Sequence, residues 1–182
     1  MKAALLAAWL AAACAGQEAS GPRILRPTDH SVVEAGPLSI VAKGGSLKLD
    51  GKAIAATSPG PGALTATVTP SAGLHKLEAD DAAIQFFVGA GAPTGWQEFK
   101  THPPGGAACN TCHAVIRGAW EIKGGVTGDN CFQCHNQEAF PKVHTHKPEV
   151  LIDCQLCHSP HGSTVKAHLK MAKDAACKQC HD

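Results

Sequence analysis

Between residues 24 and 90 apolar side chains recur at every second position: Leu64, Ala66 and Val68 alternate with Thr65, Thr67 and Thr69, and Ile84, Phe86 and Val88 alternate with Gln85 and Phe87. Successive side chains of a strand point to opposite faces, so this period predicts half-buried β-strands. Asp50-Gly51 joins Leu47-Lys-Leu49 to Lys52-Ala-Ile54 as a two-residue hairpin turn would. Several short strands at close spacing predict a small all-β sandwich over residues 22–90, a marginal size for an independent core.

The pattern then changes. Gly89-Ala-Gly-Ala-Pro-Thr-Gly95 opens a linker over residues 89–100. Residues 101–182 carry few large apolar side chains, among them Ile116, Trp120, Ile122, Phe132, Phe140, Ile152, Leu156 and Leu169. So few cannot offset the entropy of ordering the chain. This segment is expected to be mostly irregular, with short helices around its motifs and one near Thr164 to Ala176, and to take its interior from something other than side chains.

At the other end Met1-Lys2 precedes an apolar run from Ala3 to Ala13, too short to span a bilayer and suited to a secretory signal. Leu10-Ala-Ala-Ala-Cys14-Ala-Gly resembles the lipobox of bacterial lipoproteins, with the departure that alanine stands three before the cysteine. That resemblance makes residues 1–14 a signal and Cys14 a lipidated first residue. The alternative is an ordinary signal cut near Ala13 or Ala15. No other stretch could cross a membrane, so anchoring is expected through lipid alone.

The other eight of nine cysteines form four copies of one motif: Cys109-Asn-Thr-Cys112-His113, Cys131-Phe-Gln-Cys134-His135, Cys154-Gln-Leu-Cys157-His158 and Cys177-Lys-Gln-Cys180-His181. Two thiols at this spacing can flank a porphyrin edge as thioethers, and the next histidine can bind the iron from below. A lone Cys-x-x-Cys is as often half of a zinc site, but tetrahedral zinc has no use for histidine at that place in every copy. The chain therefore predicts four haem c groups, with His113, His135, His158 and His181 as proximal ligands. First cysteines 22, 23 and 23 residues apart mark an array.

For the opposite side of each iron the segment offers His102, His144, His146, His161 and His168, and Met171 as its only methionine. Five histidines for four positions favour bis-histidine ligation, with one spare. His158-Ser-Pro-His161-Gly-Ser resembles the Cys-His-x-Pro-His-Gly-Ser signature of multihaem cytochromes with doubled Cys-x-x-Cys-His motifs. That resemblance implies that His161 serves a neighbouring haem, and that the His-x-Pro elements at His102 and His146 do likewise. The first unit departs from the pattern, having no histidine where His161 falls in the second. His144 or His168 is expected to fill the gap.

The β-region resembles bacterial immunoglobulin-like modules through Pro27-Thr-Asp-His-Ser-Val, the Leu-Asp-Gly-Lys turn and Ala72-Gly-Leu-His-Lys-Leu. The resemblance implies a module that spaces, docks or caps the haem segment. His30 and His75 within it read as ordinary sandwich histidines.

Charge adds one point. From Trp96 onward nine Lys/Arg face eight Asp/Glu, but ionised propionates of four haems would bring the segment to about −3 oxidised and −7 reduced. Nucleic-acid binding has no support, and redox partner proteins with basic patches are the expected encounter. The leading reading is extracytoplasmic electron transfer, in the periplasm, at the outer membrane or at the cell surface. Two alternatives stand beside it: a filament-forming conduit, and a multihaem reductase of a small oxyanion, which needs an iron with an open position. All four motifs end in histidine and the chain has no tyrosine, so the first reading is an electron carrier, not an enzyme.

Overall fold

A computed structural model describes residues 23–124, 127–136, 138, 146 and 148–181. The signal, Cys14 and His144 lie outside the described residues. Strands are numbered in chain order. One sheet runs β1 (Arg23–Arg26), β3 (Leu38–Lys43), β7 (Ala63–Val68), β6 (Thr57–Gly60), antiparallel throughout. The other runs β10 (Gln97–Glu98), β2 (Ser31–Val33), β9 (Ala82–Val88), β8 (Gly73–Ala79), β4 (Leu47–Leu49), β5 (Lys52–Ala53). It is mixed, because β2 lies parallel to both β9 and β10.

The two sheets share one core. Ile40 and Ala42 on β3 meet Leu77 and Ala79 on β8 and Phe86 and Val88 on β9, all buried. Full burial of a large apolar side chain contributes about 1.5–3 kcal/mol, so these positions carry much of the module's stability. The alternation expected at Ile84, Phe86 and Val88 is present, with Gln85 exposed on the other face. At the β4–β5 turn Asp50 and Gly51 have φ of 51° and 76°, the left-handed pair that a tight hairpin demands and that this dipeptide tolerates.

Two carboxylates tie the loops to this frame. Asp80, in the β8–β9 turn, accepts from the Gly45 amide at 2.7 Å and from Ser46 Oγ at 2.9 Å, and these bonds hold its carboxyl below the ordinary value. Asp50 accepts from the Lys76 amide at 2.9 Å and from His75 Nδ1 at 2.7 Å. His75 is buried, stacks on Phe86 and has its Nε2 2.8 Å from the Ser71 carbonyl, the environment of a packed histidine. His30 is exposed beside Trp96.

Three expectations are corrected. The segment over residues 89–100 is not connector throughout: β10 extends the second sheet, and Phe99, 7% exposed, belongs to the core because its ring would otherwise stand in water. The motif region contains more than short helices, since β12 (His113–Ile116) and β13 (Ala119–Ile122) form a hairpin whose turn residues Arg117 and Gly118 both have positive φ. The helix expected near Thr164 to Ala176 is interrupted. Only Lys173–Cys177 is α-helical, and Lys166–His168 is a single tight turn with Ala167 and His168 at φ of 58° and 54°.

That interruption has a cause in hydrogen bonding. Ser163 Oγ donates to the Leu169 carbonyl at 2.6 Å and accepts from the Val165 amide at 2.9 Å. The Ser159 amide donates to the His168 carbonyl and the Lys170 amide to the Cys157 carbonyl. These bonds fold the loop back on the third motif and divert backbone groups from a helical ladder. No helix among the described residues is long and apolar enough to cross a membrane.

Candidate haem-attachment sites

Each Cys-x-x-Cys-His motif forms one helical turn. The histidine amide donates to the first cysteine's carbonyl in every copy: His113 to Cys109, His135 to Cys131 at 2.9 Å, His158 to Cys154 at 2.9 Å and His181 to Cys177 at 3.1 Å. Residues three apart in such a turn share a face, so each pair of thiols points the same way, as a bond to one planar edge requires. No disulfide ties up any of these eight cysteines.

The thiols of neighbouring motifs also approach one another. Burial, then the adjoining Cys154 thiol to which it is hydrogen-bonded, then Cys112, push the Cys131 thiol up to about 12. Burial and the nearby Cys177 raise Cys157. A thiol contact therefore links the second motif to the third, and charge interactions relate the first to the second and the third to the fourth.

The histidines meet in pairs, each joining a motif histidine to one of the five others. His113 and His161 have ring centroids 6.1 Å apart and planes within 8°. His102 and His135 stand at 5.9 Å and 13°, and His146 and His181 at 6.1 Å and 39°. Two imidazoles bound to one metal from opposite sides, each nitrogen about 2 Å from it, would put their centroids about 6 Å apart. The donor set fits the group the motifs imply.

Orientation of single rings supports the same use. His102 Nδ1 donates to the Pro160 carbonyl at 3.1 Å and His158 Nδ1 to the Ala167 carbonyl at 2.8 Å, which leaves Nε2 of each ring to a metal. Burial pushes His113 below its ordinary value, and burial followed by the charges of His102 and His158 does so for His168, favouring the neutral imidazole. His168 differs in its neighbour: its ring meets His102 edge-on at 4.9 Å, and its Nδ1 is buried without a hydrogen bond. The bridge His158↔Leu169 holds it alongside the third motif.

The comparisons with known proteins add one finding. Residues 146–182 match the family model of the doubled CXXCH motif. The match spans the third and fourth motifs together with His146 and His161, marks covalent haem c attachment there and points to a haem-binding c-type cytochrome. No curated protein and no solved structure matches the chain.

Two functional neighbours were not legible in the sequence. Trp120 on β13 lies nearly parallel to the His113 ring, centroids 5.5 Å apart, with its six-membered ring against Gly60 of β6. Arg26 on β1 reaches the backbone of both His102 and His161. Neither belongs to a motif, and the alternation of the β-region marks Arg26 only as the end of a strand.

Proposed function

We propose that residues 101–182 carry four covalently attached haem c groups, each iron held by two histidines, and that the chain transfers electrons between extracytoplasmic redox partners. The observation that carries this reading is the set of histidine pairs at about 6 Å, each joining a proximal histidine to a residue distant in sequence.

The pairing assigns His161 to the haem of the first motif, His102 to that of the second and His146 to that of the fourth. His144 then serves the third. His168, held beside His158 and turned edge-on to His102, is the spare. The His113–His161 pair crosses between the two halves of the segment, so that haem knits them together, and all four supply the apolar interior the segment lacks.

When bound, the haem irons supply one-electron chemistry; the chain holds them, closes their axial positions and sets their exposure. Two imidazoles per iron favour potentials on the low side of the haem range and leave no site for a substrate. The Cys131–Cys154 contact and the charge interactions between the other neighbouring motifs support haem edges close enough to form a short wire. The signal-like start supports export, Cys14 supports a lipid anchor, and the two-sheet region is read as an immunoglobulin-like module beside the haems.

The test is spectroscopic. The full chain, matured in a bacterial host with haem-attachment machinery, should show only low-spin ferric haem by electron paramagnetic resonance. Its reduced form should bind almost no carbon monoxide. Carbon monoxide bound to a quarter or more of the haem would instead favour a reductase with an open iron.

A further inference from the structure

The β-module does more at the haem segment than stand beside it. β11 (Lys100–Thr101) pairs antiparallel with β14 (Gly162–Ser163), Thr101 opposite Gly162, which sets His102 and His161 across from each other at the end of the ladder. Over that end lies the Arg26 side chain. Its Nε donates to the His161 carbonyl at 3.0 Å, one terminal nitrogen to the His102 carbonyl at 3.0 Å, and the other to Ser39 Oγ at 3.3 Å.

Arg26 is only 8% exposed, and among the described residues no carboxylate pairs with it. A buried cation costs free energy unless its donors find acceptors, and here two of them are used on carbonyls of the haem segment and a third on Ser39. The planar fork of guanidinium fixes both acceptors in one plane, which an ammonium cannot do.

We infer that Arg26 is a positioning residue for two haems at once, a clamp by which the β-module fixes the distal ligands His161 and His102 through their backbone. This rests on the paired-histidine reading above. The module thereby holds two axial ligands in place where the haem segment's own side chains are too few to do so. The partner strand that anchors Arg26 supplies Ser39, so the clamp is built on two strands of one sheet.

The experiment compares the matured full chain with Arg26→Ala and Arg26→Lys, reading haems per chain by intact mass and open haem by carbon monoxide binding to the reduced protein. Arg26→Ala should keep four haems and bind carbon monoxide at up to two of them, against almost none in the parent. Arg26→Lys, which keeps charge and loses the fork, should fall between. Four haems with carbon monoxide binding unchanged from the parent in Arg26→Ala overturns the clamp. Hydrogen exchange at the Ile40 and Leu77 amides reports whether the β-module is still folded. Should Arg26→Ala unfold it, Arg26→Lys decides, a rise in open haem upholding the clamp and none overturning it. A parent chain that already binds carbon monoxide substantially, or lacks four haems, sinks the paired-histidine reading instead and the clamp with it.

Discussion

A Cβ placed on Gly162 would fall 2.5 Å from Phe99 Cζ and 2.6 Å from the Lys100 carbonyl oxygen, so the glycine after His161 is where the haem segment is laid on the β-core. Gly162 also has φ of 122°, which a side chain would resist. The His-Gly-Ser element thus has a structural reason in this chain: a side chain after His161 would strike Phe99 and the Lys100 carbonyl and displace the strand.

Phe99→Ala should therefore act on both regions. Loss of a buried ring typically costs about 3–5 kcal/mol, and the β-module should lose stability on that scale in urea denaturation of the full chain. The same variant should raise carbon monoxide binding, because the ladder that carries His102 and His161 loses its support. Stability unchanged to within about 1 kcal/mol would count against the placement of Phe99, the threshold being well below the usual cost of such a substitution.

Gly60 meets Trp120 so closely that any Cβ there would overlap the indole. Gly60→Val should destabilise the holoprotein by about 1–3 kcal/mol through overpacking. Adding Trp120→Ala should cancel most of that loss. A double-mutant cycle measures it, and purely additive effects would show that the two residues do not touch.

The distal histidines can be counted one at a time. His161→Ala, His102→Ala and His146→Ala should each leave haem content by mass unchanged and open one haem in four to carbon monoxide. His168→Ala should open none. If His168→Ala opens a haem and His144→Ala does not, the third pair is His158 with His168.

Acid should weaken the β-module through Asp50. Against the opposing effect of desolvation, hydrogen bonds from the Lys76 amide and His75, with the charges of His75 and Lys52, hold its carboxyl below 3.8. A carboxyl lowered by folding contributes stability that is complete above its unfolded value and lost as pH falls through the lower folded one. Thermal melts should thus decline below pH 3.8, and Asp50→Asn should flatten that decline while costing stability at neutral pH. The effect is small, since the Asp50 side chain is half exposed. An unaltered acid slope in Asp50→Asn would show that Asp50 has no part in it.

What could be read from the chain beforehand was what local rules govern. Period-two alternation revealed the strand containing Phe86, and Asp50-Gly51 revealed its turn, because both depend on neighbours within a few residues. The attachment motifs are equally local, their chemistry being fixed by five consecutive residues. Contacts across long separations left no trace. Arg26 lies 135 residues from His161 and 76 from His102 in sequence, and no pattern in either segment announces that they meet. The linker reading of residues 89–100 gave Phe99 no place in the core, since two strand residues after a Gly/Pro stretch show no periodicity, whereas burial with Val33 and its neighbours decided its place. The helix expected after Thr164 failed on side-chain hydrogen bonding by Ser163, which competes with helix formation in ways that composition does not show.

The most direct measurement is the intact mass of the full chain purified from an exporting host with haem-attachment machinery, set beside its visible spectrum. Haem attachment at all four motifs predicts a red product whose mass corresponds to the processed chain plus four haem groups. A colourless product, one with fewer than four haems, or one holding zinc in stoichiometric amount at the cysteine pairs would contradict it.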